Sequence, residues 1–398
     1  MGKRRLMEHR FTDVALDFER LNEWRAEGNV CRFSGHRWKN GVWEHEVRMY
    51  RPASGEIVSQ DTYFLEVTGD DAGAPDDAYG QALADALRLP VALLFGIPNQ
   101  PIWNMREDDL IAHSFEQYVE HGDPEWPLLV PMVRSVSCAI DVIAEWSFER
   151  FRKVVVGGAS KRGWTSWLVA QLDDPRVVGI VPVVYDNLNM AAQLENQNRV
   201  WGALSPMLED YTRRRLHELA ITPGGEALVR FIDPWTGLGV QRVPALVVSG
   251  SNDPFWTIDA GRVFYRGLPA GSAMQVVGNM GHSIGGWEYR LSTVGAFCAR
   301  CAGLGVFPRA EFEIVDEADG LKIRGRSDLV PRAIRVWGGV SETMIFTQSE
   351  FFVDLLREPE VFFRRREGYS QAVWMEMEFE GDLGAVRLTS PAGIVPGL

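Results

Sequence analysis

The chain has 398 residues, 46% of them hydrophobic and 24% charged, which is length and apolar content enough for one large domain with a smaller companion. Its formal net charge of −13 argues against a nucleic-acid backbone as partner. The longest apolar runs are a few residues, far short of the ~20 that a membrane-spanning helix needs, and four cysteines, Cys31, Cys138, Cys298 and Cys301, are too few for a disulfide scaffold.

The first ten residues are basic, but no apolar stretch follows them, so a cytoplasmic protein is expected. Residues 1–42 read as a helical arm and a connector. Residues 43–52 alternate and stop at Pro52, as a strand does. Residues 62–69 read as a buried strand closing on Gly69, residues 81–89 as a helix, and residues 90–96 as a further buried strand. Strand, helix, strand in this rhythm predicts a parallel sheet with crossover helices. The segment Ile97-Pro98-Asn99-Gln100-Pro101 then makes a rigid loop. Two helices are expected over 107–120 and 128–148, the second with Val133, Val136, Ile140 and Ile143 as its apolar stripe.

The next stretch, Val154-Val155-Val156-Gly157-Gly158-Ala159-Ser160-Lys161-Arg162-Gly163-Trp164, is the most informative. A β-branched run meets small residues, one serine, another glycine and then a helical pattern, which is how a strand-to-helix elbow reads when it lifts a serine hydroxyl above a sheet edge. The second glycine comes one residue later than in G-x-S-x-G. Trp164 and Trp167 fall at helical spacing and read as core packing. Residues 177–184 form another buried strand leading into Asp186-Asn187-Leu188-Asn189-Met190. Residues 187–240 read as a mostly helical insertion placed to cap a site, with Asn187, Asn189, Gln193, Trp201, Tyr211 and Trp235 as candidate lining residues. Residues 243–254 are a strand ending in a turn with Asp253, and residues 273–282 a strand ending in a glycine-flanked His282.

Serine, aspartate and histidine, each just past a strand and in that order, follow the chain order of the α/β-hydrolase triad. A serine hydroxyl is a weak nucleophile until an imidazole takes its proton, and the imidazole needs a carboxylate to set its tautomer. Ser160 is the candidate nucleophile, His282 the base and Asp253 the orienting acid, with Asp186, which also ends a strand, as the rival acid. The oxyanion hole is assigned to the N–H of Lys161 and to the 97–101 loop through Asn99; the alternative for that loop is a proline-bounded connector. A closing helix is expected over 287–304, where Cys298-Ala299-Arg300-Cys301 reads as two helix-packed thiols, since no second pair completes a zinc site. Beyond Phe307-Pro308, short alternating runs at 311–315, 321–324, 333–337, 372–380 and 384–389 read as a small β-rich domain, and residues 358–367 as a charged, solvated surface. The expected division is an arm over 1–42, an α/β-hydrolase domain over 43–305 with the 187–240 cap, and a β-rich domain over 306–398.

The arrangement resembles the PhoPQ-activated pathogenicity-related protein family of the α/β-hydrolase superfamily over residues 43–305. The matching segments are Gly158 to Thr165, Ile97 to Pro101, Glu125-Trp126-Pro127-Leu128 with Pro131-Met132, Asp186 to Met190, Asn252-Asp253-Pro254-Phe255 and Asn279 to His282. The G-x-S-x-x-G spacing is also similar to that of glucuronoyl esterases. The resemblance implies the Ser160, His282 and Asp253 roles given above. It would let Arg162, or the Lys161 side chain, bind an anionic substrate group; the other reading has both salt-bridged or solvated on the elbow helix. Gln100, Asn187, Asn189 and Trp235 complete the expected substrate contacts. Family members usually look exported, which stands against the cytoplasmic expectation.

The expected activity is hydrolysis of a small-molecule carboxylic ester through an acyl-enzyme. A peptidase or amidase would use the same groups, a serine-based C–C hydrolase is a remoter option, and a non-catalytic binding or signalling protein on the same scaffold is the alternative of a different class. No cofactor and no metal are expected, because no glycine-rich phosphate loop opens a helix after the first strand and no His/Asp cluster has ligand spacing.

Overall fold

The computed structural model describes residues 9–39, 41–69, 71–219, 221–283 and 288–398. A nine-stranded sheet forms its centre. The strands are β1 (Glu23–Glu27), β2 (Val30–Trp38), β3 (Gly41–Tyr50), β4 (Thr62–Val67), β5 (Val91–Phe95), β6 (Lys153–Ala159), β7 (Val177–Val183), β8 (Leu246–Gly250) and β9 (Ala273–Val277). Their spatial order is β1-β2-β3-β5-β4-β6-β7-β8-β9. The pairs from β5 through β9 are parallel, and β1, β2 and β3 add an antiparallel edge. Every residue of β5, β8 and β9 is buried, as expected of parallel strands covered on both faces.

The reading of residues 1–42 as arm and connector is corrected by the β1–β2 hairpin. A short helix, α1 (Phe11–Leu16), precedes it. Glu27 pairs with Val30 across Gly28-Asn29, and Gly28 takes φ +60°, the left-handed geometry that a two-residue hairpin turn demands and glycine supplies. That dipeptide between alternating runs was the available signal.

Helices α2 (Ala74–Leu87), α3 (Glu107–His121), α4 (Leu129–Trp146) and α5 (Lys161–Val169) cross between strands as the rhythm requires. Helix α4 buries far more than one stripe: every residue from Leu129 to Ile140 is buried. The N-terminal segment covers its second face. Arg134 donates to the carbonyls of Val14 and Asp17 and pairs with Glu125, while His36 meets Ser135. Between β7 and β8 lie α6 (Met190–Trp201), several single-turn helices and the helix Pro223–Ile232. The helix Glu288–Cys301 follows β9.

The C-terminal strands are antiparallel: β10 (Ala310–Glu317), β11 (Gly320–Ser327), β12 (Ala333–Ser341), β13 (Phe351–Leu356), β14 (Glu360–Arg364), β15 (Ser370–Phe379), β16 (Val386–Thr389) and β17 (Gly393–Val395). They form one sheet ordered β10-β11-β14 and another ordered β13-β12-β15-β16, with β17 also on β15. The charged 358–367 segment is therefore not merely solvated surface. Its Glu360–Arg364 portion is an edge strand on β11, where charged side chains suit an exposed edge. Strands β13 and β17 had no sequence counterpart; β13 is exposed along most of its length, so its alternation carries little apolar signal.

Candidate active site

Strand β6 ends at Ala159 and α5 begins at Lys161, leaving Ser160 alone in the turn at φ 55°, ψ −125°. A non-glycine residue rarely takes such a backbone, and its strain persists only where the surroundings over-determine it. Here they do. The Ser160 N–H donates to Val183 O at 2.8 Å, and Ser160 O accepts from Trp164 N at 3.0 Å. A Cβ on Gly158 would lie 2.8 Å from the Arg162 backbone, and one on Gly163 3.0 Å from Gly158 O. The late second glycine is thus the point at which helix and strand touch.

The Ser160 Oγ lies 2.9 Å from His282 Nε2, and His282 Nδ1 lies 2.8 Å from Asp253 Oδ2. Asp253 is buried, and its Oδ1 accepts from Phe255 N at 2.8 Å. A buried carboxylate on Nδ1 calls for the proton there, leaving Nε2 to accept from the serine hydroxyl. The ring of Phe255 stacks on the imidazole, 4.1 Å between centroids, a contact that sequence reasoning missed although Phe255 sits two positions from Asp253. Asp186, the rival acid, is engaged elsewhere: its Oδ1 accepts from Ser249 Oγ at 2.7 Å. Burial, together with the neighbouring Asp253 charge, pushes its pKa up to about 7, against the Ser249 hydrogen bond that lowers it.

The two loops that carry Asp253 and His282 are tied to each other and to the C-terminal strands. Asn252 N donates to Met280 O at 2.8 Å, and Ser251 Oγ accepts from Asn279 N. Asn252 Nδ2 donates to Ser349 O at 2.8 Å. The side chain of Asn279 both donates to Phe351 O and accepts from Phe351 N.

Arg162 has its charge met within the protein. Its guanidinium forms a fork on Glu107, at 2.8 and 2.7 Å, and donates to Ile97 O. It also lies across Gly69, where any Cβ would collide with it. Lys161 Nζ pairs with Glu107 and Asp108, and Asp108 also accepts from Tyr211 Oη at 2.8 Å. Burial acts to raise the Glu107 carboxyl, but its Arg162 and Lys161 partners outweigh that and hold its pKa down to about 2. Gln100 is likewise spent in the frame: its Oε1 accepts from Glu107 N, and its Nε2 donates to Glu107 Oε1.

The oxyanion assignment to Asn99 meets the strand order. The neighbour of β6 is β4, and β5 lies one strand farther out. The loop adjoining the serine turn is thus the one after β4, with Thr68 and Gly69, rather than the loop after β5 that holds Asn99. The Asn99 side chain is tied to the Glu44 backbone instead. Lys161 keeps a suitable place, since the first N–H groups of a helix have no intrahelical acceptor.

A cavity of about 140 Å³ opens at Ser160. Its walls include Phe115, Trp164, Tyr185, Met190, Leu228 and Phe255, with Asn187, Gln193 and Tyr211 also contributing. Trp164 both packs and lines: it stacks on Tyr185 with 5.2 Å between centroids and donates through Nε1 to Ile232 O. Asn189, Trp201 and Trp235 are not among the lining residues. Asn189 starts α6 in the left-handed region, with its N–H on Asp233, and Trp235 packs over Gly267.

A mostly parallel sheet with helices on both sides and a strained serine after a central strand defines an α/β-hydrolase fold. Acetyl xylan esterase 1 from Thermoanaerobacterium sp. JW/SL YS485 shares it, with a TM-score of 0.51 over 73% of this chain and 92% of that one at 13% identity, a likeness of fold alone. An acetyl xylan esterase from Paenibacillus sp. R4 covers the same shares at 12% identity and a TM-score of 0.49. The chain belongs to the PhoPQ-activated pathogenicity-related protein family, whose model matches residues 19–346. It is also 31% identical over 270 residues to autocrine proliferation repressor protein A of Dictyostelium discoideum, a match that takes 62% of this chain and 53% of that protein. The chain thus spans about half the length of that curated relative. Among the described residues no helix is long and apolar enough to cross a membrane.

Proposed function

We propose that this protein is a serine hydrolase that cleaves a small-molecule carboxylic ester through an acyl-enzyme. The observation that carries the reading is the continuous hydrogen-bonded chain from Ser160 Oγ through His282 to buried Asp253, set on a strained elbow. In this reading His282 Nε2 takes the hydroxyl proton as Ser160 attacks the carbonyl carbon, and Asp253 stabilises the imidazolium. The developing oxyanion is held by the Lys161 N–H and by an N–H of the loop after β4. His282 then returns the proton to the leaving oxygen, and water repeats the sequence on the acyl-enzyme. Amide cleavage would use the same atoms, so ester and peptide substrates are compared in the same assay.

The test is intact-mass spectrometry after treatment with a fluorophosphonate, wild type beside Ser160→Ala. One adduct on the wild type that vanishes in the variant, with ester turnover falling by several orders of magnitude, is the expected result. A folded wild type that takes no adduct sinks the proposal. The relative named as a proliferation repressor favours the second reading, a binding protein on a hydrolase scaffold, and that outcome would select it.

A further inference from the structure

The cavity beside Ser160 has no assigned occupant, and its size and chemistry are specific. Its volume of about 140 Å³ matches the ~150 Å³ at which an apolar protein cavity accommodates a benzene ring. Most polar groups in its wall are committed. Asp108 is held by Lys161 and Tyr211, Gln193 donates to Asp186 O and Ala260 O, and Gln197 joins Phe255 O to Ser205 N. Trp256 Nε1 and His217 Nδ1 are buried without accessible surface and so offer nothing to a ligand, and the Asn187 side chain is turned to the buried Tyr185 hydroxyl. A sugar or a peptide placed here would lose its hydration for little replacement beyond Asn187, whereas an apolar group gains by leaving water.

The cavity also has a side. The group that leaves with the proton must sit against His282 Nε2, and His282 is not among the lining residues, whereas Ser160, Lys161, Trp164 and Tyr185 are. The Phe255 ring, stacked on that imidazole, also forms part of the wall, so it is the presence of Ser160 and Lys161, which hold the acyl carbon and its oxygen in the proposed reaction, that gives this space to the acyl portion. We infer that, given the serine-hydrolase reading above, this protein acts on esters of apolar carboxylic acids of about six to eight carbons, straight-chain or carrying a phenyl ring, in preference to acetate esters.

The experiment measures kcat/KM for p-nitrophenyl acetate, butyrate, hexanoate, octanoate, decanoate and phenylacetate, with the leaving group held constant. Burial of each methylene should raise kcat/KM about fourfold up to six to eight carbons, with a fall at decanoate and with phenylacetate well above acetate. Leu194, which lines the cavity while itself only half-buried, offers a second reading: Leu194→Trp should lower the hexanoate-to-acetate ratio at least fivefold. A profile that is flat or highest at acetate, on enzyme that still takes the fluorophosphonate at Ser160, overturns the acyl inference and leaves the hydrolase reading standing. No turnover of any ester together with no adduct overturns both.

Discussion

Asn279 and Phe351 exchange two hydrogen bonds, Nδ2 to O at 2.9 Å and N to Oδ1 at 2.8 Å, and this joins the loop that ends in His282 to the first residue of β13. Asn252, next to Asp253, reaches the same region through Ser349 O. The appended segment thus hydrogen-bonds both of the loops that carry Asp253 and His282.

Asn279 takes φ +60°, so glycine can replace it without backbone strain while removing the clamp. Asn279→Gly is expected to fold and to lower kcat about tenfold with little change in KM, because a small misplacement of the imidazole costs chemistry more than binding. Steady-state kinetics on a preferred ester check this; an unchanged kcat would show that β13 contributes nothing to the placement of His282.

Asp186 offers a pH test. Its folded pKa, up at about 7, exceeds the ordinary 3.8, so between those values the native state keeps a proton that the unfolded chain has released. Stability from this group accordingly falls as pH rises from about 4 to about 7. Asp186→Asn keeps the acceptor for Ser249 and removes the cost of ionisation. Urea unfolding should show the variant more stable than the parent by about 2 kcal/mol at pH 8, with the gap closing by pH 4. A gap independent of pH would rule out the ionisation.

Glu107 runs the other way. Its folded pKa, down at about 2 against an ordinary 4.5, makes its contribution present above about pH 4.5 and lost as pH falls toward 2. Glu107→Gln leaves Lys161 and Arg162 short of a counter-charge and should cost about 2 kcal/mol at pH 7, a loss that shrinks in acid. Denaturant midpoints across pH 3 to 7 measure it.

Much of the frame was legible in the chain. β-Branched runs such as Val154-Val155-Val156 favour buried strands, and Gly158, Ser160 and Gly163 mark a tight strand-to-helix turn, because these are local steric demands. The hairpin at Gly28-Asn29 was equally local but passed over. What the tertiary structure alone decided was pairing. Asp186 and Asp253 both end strands, and only the packing of loops put Asp253 on His282 and Asp186 on Ser249. Whether Arg162 and Lys161 meet a substrate or a carboxylate is open in the chain; α3, more than fifty residues earlier, brings Glu107 and Asp108 against them. Strand order set the loop after β4, not the Asn99 loop, beside the serine. A sequence carries backbone preference and apolar period residue by residue; the partner of a charge and the neighbour of a strand exist only once distant segments have packed.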